Sequence, residues 1–401
     1  MIRLILLIIS FVGGQILSVN FSNIRISALD LSVGIFIIWA LLQRKLQVRP
    51  VKRYLKIFGL FIFVCLISLI FQLKNLDFLK IIISSLYLWR FVMYSLLAIF
   101  ISQDKKIKHL SIWGLWWGGV TIALLGLIQY FLYPNLRNLQ YLGWDPHQYR
   151  IFSTLLDPNF TGIILVLTLI LGMYLFNTQK QKKVIIAGEI ISFIALLLTY
   201  SRGSYLALII GIFVMVILNN KIKLIWKIGL IGMFGVGFIL LLFLLPRPGG
   251  EGVNLLRVIS VESRIENSQE AIELFIKSPI IGYGFNTLRY FRSGFDEYSQ
   301  SVSGFHNSWL FILVTTGILG LLSYIWIWWN ILKTLYCSSP STSLREDNKN
   351  FSLDISSGSK NILLLISFIA IFIHSQFDNS LFYPYVMFWM FMLVGSFSIT
   401  D

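Results

Sequence analysis

The stretch SGFHNSWLFILVTTGILGLL, residues 303–322, sets a polar triplet, His306-Asn307-Ser308, directly before a run apolar enough to cross a bilayer, with Gly317 and Gly320 three residues apart inside it. The rest of the chain says what surrounds such a run. Its 401 residues are 57% hydrophobic and only 13% charged, with a mean hydropathy of +0.78; a soluble domain carries roughly a quarter charged residues. The chain therefore reads as an all-α, polytopic integral membrane protein forming a single transmembrane domain, 1–401. Apolar runs of about 17–25 residues give about twelve spans, near 3–19, 27–43, 57–73, 79–101, 111–133, 159–177, 184–200, 203–219, 228–245, 306–332, 361–378 and 380–399.

The connections alternate in character. The segments 44–56, 104–109, 178–183, 219–227 and 333–360 hold nineteen of the 33 Lys and Arg. Short basic loops mark the cytoplasmic side, so both termini are expected there and the formal charge of +15 calls for no nucleic acid. The first apolar run resembles a signal peptide but lacks a small-residue cleavage site, so it reads as retained. The Ser-rich segment 333–360 reads as a cytoplasmic linker. The opposite side carries a medium loop after Pro134 and a long one, 246–305. Within the long loop Ser263-x-x-Glu266 has the form of a capping box, Pro279 ends the pattern, and Ile265, Ile272, Phe275 and Ile276 recur at helical spacing. An amphipathic helix is expected, apolar stripe on the membrane domain and Arg264 at its first position. Two cysteines, Cys65 and Cys337, offer no disulfide framework or metal cluster.

His306 falls in the first turn of its expected helix, and Gly317, eleven residues on, returns to within about 20° of the same face. The glycines would admit another helix closely, with the histidine at the top of that seam. A helix N-terminus disfavours imidazolium, which suits a proton acceptor. A lone histidine there is more often a simple cap; the spacing His-Asn-x9-Gly-x-x-Gly is what argues for function. On the same expected side stand Arg150, Arg202 and Arg264, each alone an ordinary interfacial residue. Arg90 lies at the middle of its span, where charge is costly, paired with Glu189 or reaching a phosphate. Arg25 and Asp30 read as a local pair. His374 and Asp378 would orient His306, line an acceptor site, or simply form a polar hairpin. Trp144 and Tyr149 are loop aromatics that either pack or stack on sugar rings.

These segments resemble, in order, the signatures of the O-antigen ligase and O-antigen polymerase family. HNSWLFILVTTGILG carries its His-Asn before Gly-x-x-Gly. YRIFSTLLDPNFTGIIL carries its Arg and Pro-Asn at Arg150, Pro158 and Asn159. TYSRGSYLALIIG carries its Ser-Arg-Gly turn at Ser201, Arg202 and Gly203. SRIENSQEAIELFIKSPIIGYGFNTL carries its outer-loop helix, with Arg264, Ala271, Pro279, Gly282 and Gly284. The likeness covers about 150–320. It departs in one respect: many members carry a Trp in that helix, and none lies between Ser263 and Pro279.

The resemblance implies a multi-pass glycosyltransferase of the bacterial cytoplasmic (inner) membrane. Such an enzyme moves oligosaccharide from an undecaprenyl-pyrophosphate carrier to a hydroxyl on a glycan or lipid A core acceptor at the outer face, among membrane lipids. It is expected to need no cofactor or metal, since the chain has no Asp-x-Asp pair and arginine would serve a pyrophosphate leaving group instead. His306 and Asn307 would be catalytic, Asn307 fixing the histidine. Arg150, Arg202, Arg264 and Arg90 would bind pyrophosphate, and Asp378 and His374 would orient the histidine or the acceptor. The competing class is a transporter or flippase of lipid-linked sugars or small solutes. Transporters pair repeats with broken spans at matching positions, whereas here polar residues gather at one side.

Overall fold

The computed structural model describes residues 2–21, 24–43, 48–142, 144–218, 223–246, 248–249, 251–292, 304–337 and 360–397. Each of the twelve apolar runs forms a helix: α1 (Ile2–Gly13), α2 (Ala28–Leu42), α3 (Val48–Phe71), α4 (Phe78–Ser102), α5 (Lys105–Leu132), α6 (Pro158–Thr178), α7 (Lys182–Leu197), α8 (Arg202–Leu218), α9 (Leu224–Leu244), α11 (Ser308–Cys337), α12 (Lys360–His374) and α13 (Pro384–Phe397), with α10 (Ile259–Lys277) in the long loop. Among the described residues, six helices are long and apolar enough to cross a membrane by length and composition. The other apolar helices are shorter, because polar turns and a hairpin consume the ends of the runs. Residues 338–359 of the expected linker lie outside the described residues, and α11 extends through its first positions. The sequence did not signal the two-stranded hairpin β1 (Ser18–Phe21) and β2 (Ile24–Ser27), paired antiparallel with Ser18 opposite Ser27.

α13 is the central post. Every residue from Tyr385 to Phe397 is buried, which explains why its sequence is apolar on all sides. It packs on α4 and α5, while α6 lies between α5, α7 and α8. Small residues let these backbones approach: a Cβ on Gly395 would come within 2.6 Å of the Ala98 carbonyl of α4, and one on Gly119 within 1.9 Å of Thr168 on α6. α9, by contrast, buries only Phe238.

Three expectations change. Arg90 does not pair with Glu189. Its Nε and Nη2 form a fork on Asp30, at 2.8 and 2.9 Å, and Nη2 also donates to the Arg25 carbonyl. Asp30 simultaneously closes the α2 capping box with Ser27, so this pair locks α4 to the hairpin and α2. Glu189 instead accepts from the Trp116 indole at 3.1 Å. The second change concerns α10, which starts at Ile259 without a side-chain cap, so Arg264 lies in its second turn. Its packed face carries Arg264, Asn267 and Ala271, whereas Ile265, Ile272 and Ile276 are exposed. Phe275 of the expected stripe does pack on the apolar core, with Ala271 and Leu274, and polar contacts from Arg264 and Asn267 hold the rest of that face.

The third change is inside α11. Gly317 is not on a helical face: its φ of 67° and ψ of −169° break the helix. What approaches it is the loop after α10. Tyr283 and Gly284 donate their N–H groups to the Val314 and Thr315 carbonyls at 3.0 and 2.8 Å, and Ile318 N–H donates to the Pro279 carbonyl at 2.9 Å. Ser68 of α3 also donates to the Thr315 carbonyl at 2.8 Å. Backbone groups freed by a break in an apolar environment must be paired, and here the loop supplies the pairs. Gly282, at φ 74°, lies so close that a Cβ would meet the Thr315 backbone at 2.5 Å. A Cβ on Gly317 would meet the Ile280 carbonyl at 2.1 Å. Gly317→Ala should therefore destabilise the protein by about 2 kcal/mol or more, while Gly235→Ala, which meets nothing within 4 Å, should be neutral or better; thermal melts of the two variants in detergent test this.

Candidate active site

The loop 133–157, the turn between α7 and α8, the start of α10 and the rims of α11 and α12 meet at one end of the bundle. The meeting begins with Arg150, buried with 4% of its surface exposed. Its Nε donates to the Thr199 carbonyl at 2.8 Å, and its Nη2 reaches the Tyr200 carbonyl and Asn159 Oδ1, both at 3.4 Å. Asn159 is fixed in turn: Ser201 Oγ donates to its Oδ1 at 3.1 Å, and its own N–H bonds Asp157, the N-cap of α6. Arg202 donates to the Leu255 and Arg257 carbonyls at 3.2 and 3.1 Å. Arg257, which the sequence reading passed over, donates to the Gly252, Asn254 and Tyr200 carbonyls. Carbonyl partners orient a guanidinium without neutralising it. Tyr149, Ser153, Leu156 and Tyr200 all adopt positive φ, between 47° and 55°, backbone strain of the kind that gathers at functional sites.

The second half of the site is centred on Asp378, 6% exposed. Arg264 Nη2 lies 3.4 Å from its Oδ2, His306 Nδ1 3.8 Å from its Oδ1, and His374 Nε2 4.0 Å from its Oδ2. His374 is fully buried, with Nδ1 2.6 Å from the Ser380 hydroxyl. His306 is half exposed, and its backbone N–H donates to Asn267 Oδ1 of α10 at 2.9 Å. Arg292 ties α10 to the same segment, with a fork on Glu270 at 2.8 and 2.6 Å and a bond to the Gly304 carbonyl. Asn307 does not touch the imidazole. Its Oδ1 caps α11, accepting from Trp309 and Leu310 N–H, and its Nδ2 donates to Gln376. The expected orienting role of Asn307 is thus indirect: it anchors the backbone from which His306 projects, and the side chain facing the ring is Asp378.

The electrostatics follow from burial. Burial, then the charge of Arg257, pulls Arg150 down to about 9, with Asp157 opposing. Burial, then Arg202 and Arg264, pulls Arg257 down to about 10. Both stay charged at neutral pH, so these shifts record burial and mutual repulsion that Asp157 and Asp378 offset only in part at Arg150. Burial pushes the Asp378 carboxyl up, but His306 and the charge of Arg264 outweigh it and hold the group below its ordinary value. The structure therefore brings together Arg150, Arg202, Arg264, His306, His374 and Asp378. Arg90 is engaged elsewhere, with Asp30. Nothing local in the sequence marks Arg257, which belongs to no motif and is identifiable only because the long loop folds back on the α7–α8 turn.

A metal was not expected, yet among the described residues Asp145, His147 and Asp157 place one ligand atom each within 4.8 Å of one another. Arg150 and Arg257 stand against a cation there: burial and those two charges hold His147 well below its usual range. Asp157 is raised to about 6, by burial and then by Asp378. A carboxyl whose folded value exceeds its ordinary 3.8 is ionised at growing cost as pH rises between the two. Asp157→Asn should therefore gain thermal stability relative to the parent as pH is raised from about 4 to about 6, with no further change above; a parallel difference across that window in calorimetric melts would contradict it.

Residues 187–325 match the family model described as O-antigen ligase. The stretch holds Arg202, Arg257, Arg264, His306 and Gly317. The chain is also similar to an O-antigen ligase of Salmonella typhimurium (strain LT2), at 25% identity over 295 residues that cover 71% of this chain and 68% of that protein. Both similarities are to O-antigen ligases, and the apolar helices fit a multi-pass membrane protein.

Proposed function

We propose that the chain transfers oligosaccharide from an undecaprenyl-pyrophosphate carrier to a hydroxyl acceptor at the outer face of the bacterial cytoplasmic membrane, as a ligase onto lipid A core or as a polymerase of lipid-linked repeats. The observation that carries this reading is the convergence of four arginines with a carboxylate-faced histidine at one end of the bundle. In the reaction the acceptor oxygen bonds to the anomeric carbon of the donor sugar, and the bond from that carbon to the pyrophosphate oxygen breaks. The leaving oxygen takes the electron pair. Arg150, Arg202, Arg257 and Arg264 are pre-set to receive that negative charge, which is where fixed cations lower a barrier most. Main-chain carbonyls hold Arg150, Arg202 and Arg257, and Asp378 holds Arg264, before substrate arrives, so little reorganisation is needed.

The acceptor proton goes to His306. Asp378 beside Nδ1 favours the tautomer protonated there, leaving Nε2 to accept. At 3.8 Å the pair is longer than a hydrogen bond, as such pairs often are before substrate binds. Arg264 contributes to both halves, one nitrogen on Asp378 and its charge felt by Arg202 and Arg257. It therefore couples the leaving-group side to the proton-acceptor side.

His306→Ala should insert and fold normally but lose transfer by about 10²–10⁴-fold, measured with purified protein, lipid-linked oligosaccharide and acceptor; parental activity would remove the histidine from the mechanism. Arg257→Gln should weaken binding of polyprenyl diphosphate by roughly tenfold or more, the scale of one charge-assisted contact, read by equilibrium titration. Unchanged affinity would exclude Arg257 from the anion site.

A further inference from the structure

The turn that follows α12 carries a buried polar chain that reaches His306 from behind. Ser380 and His374 are both fully buried, and Ser380 Oγ lies 2.6 Å from His374 Nδ1. Across the ring, His374 Nε2 faces Asp378 Oδ2 at 4.0 Å, and Asp378 Oδ1 faces His306 Nδ1 at 3.8 Å. The order is therefore Ser380, His374, Asp378, His306. The turn is also tied to the backbone that bears His306. Leu381 N–H donates to Ser308 Oγ at 3.2 Å, and that hydroxyl donates to the Asp378 carbonyl at 3.3 Å.

The tautomer of His374 decides what this chain does. The Ser380 hydroxyl has one proton to give and two acceptors in reach, His374 Nδ1 at 2.6 Å and the Asp378 carbonyl at 3.5 Å. The first distance is that of a full hydrogen bond and the second is at the limit of one, so the proton goes to Nδ1. The neutral ring then carries its own proton on Nε2, toward the carboxylate. At 4.0 Å that contact is too long for a hydrogen bond, but in a buried place its sign still matters. An N–H there attracts the carboxylate, whereas the bare lone pair of the other tautomer would repel it.

We propose that Ser380 and His374 are positioning residues that act through Asp378: Ser380 holds the neutral His374 ring with its N–H toward the carboxylate, and that N–H offsets part of the negative charge that His306 feels. The inference rests on the proton-acceptor role of His306 proposed above. A neutral donor suits this place better than a second cation would. It steadies Asp378 without repelling the imidazolium that forms on His306 when the acceptor proton arrives, and it keeps His306 from holding a proton before then. The other charged groups that act on Asp378 are Arg264 from α10 and Asp145, Arg150 and Asp157 from the loop 133–157. None of these lies on the α12 side, which His374 alone supplies.

The chain has 4 histidines, so magic-angle-spinning NMR of the full chain in lipid bilayers, isotope-labelled at histidine nitrogen only, reads the tautomer and titration of each ring. The expected result is a neutral His374 at neutral pH with its proton on Nε2. His374→Phe should raise the pH at which His306 titrates, because the carboxylate then acts on His306 undiminished. It should also lower kcat about tenfold, the scale of one hydrogen bond, and leave KM for the lipid-linked oligosaccharide unchanged. His374→Gln, whose amide presents an N–H to Asp378, should keep both values near the parental ones. Ser380→Ala, the milder change, should mix the two His374 tautomers and move His306 in the same direction by less. A proton on His374 Nδ1 in the parent, or a His306 titration that neither His374→Phe nor Ser380→Ala moves, would overturn the proposal. The NMR needs no substrate, so its failure is distinct from failure of the glycosyl-transfer reading, which parental transfer by His306→Ala would show.

Discussion

One buried carboxylate joins an arginine and two imidazoles at the rim of this bundle. Asp378 faces Arg264, His306 and His374 at once, while Arg150, Arg202 and Arg257 are steered by main-chain carbonyls. A carboxylate partner would neutralise each guanidinium; a carbonyl partner only aims it. The site is therefore built with a surplus of positive charge in a partly desolvated place, and such a surplus is stable only if an anion completes it or the surrounding backbone over-determines it. The left-handed residues at 149, 153, 156 and 200 show how far the backbone is bent to keep the arginines together. A diphosphate has the charge for such a place, and pairs of its oxygens lie at the spacing that a planar guanidinium fork spans.

Holding that rim rigid depends on how the long loop enters the membrane domain. The Pro279–Gly284 turn replaces the missing helical bonds at the Gly317 break, so α10, the loop behind it and α11 form one hydrogen-bonded body. Asn267 and the Arg292–Glu270 fork then fix the segment carrying His306 from the α10 side. Asn307 and Ser308 fix it from the α12 side, where Ser308 N–H donates to the Ser375 carbonyl. Histidine, arginine and carboxylate are thus borne by elements that cannot shift independently.

Hydropathy was enough to find every apolar helix, because a residue facing lipid and a residue facing another apolar helix obey the same composition rule. It overstated their lengths, since an apolar residue in a turn or in the β1–β2 hairpin carries the same signal. Motif order located Arg150, Arg202, Arg264 and His306. The reasons attached to some of them did not survive: Ser263 fits a capping box, but α10 begins four residues earlier, so Arg264 meets Asp378 from the second turn and does not stand at a helix terminus. Gly317 fits a helix seam, but a loop takes the space and the helix breaks there. Arg90 and Asp30 are 60 residues apart, and only tertiary packing shows that they pair. Arg257 is invisible for the same reason: its importance lies in which carbonyls the long loop brings to it.

The central claim is that Arg150, Arg202, Arg257 and Arg264 together form one anion site beside His306. An experimental structure with a polyprenyl diphosphate bound tests it most directly. The account predicts phosphate oxygens within hydrogen-bond distance of those guanidinium groups, with the first sugar's anomeric carbon turned toward His306. Phosphates seated elsewhere, with the four arginines keeping the partners they have here, would contradict it.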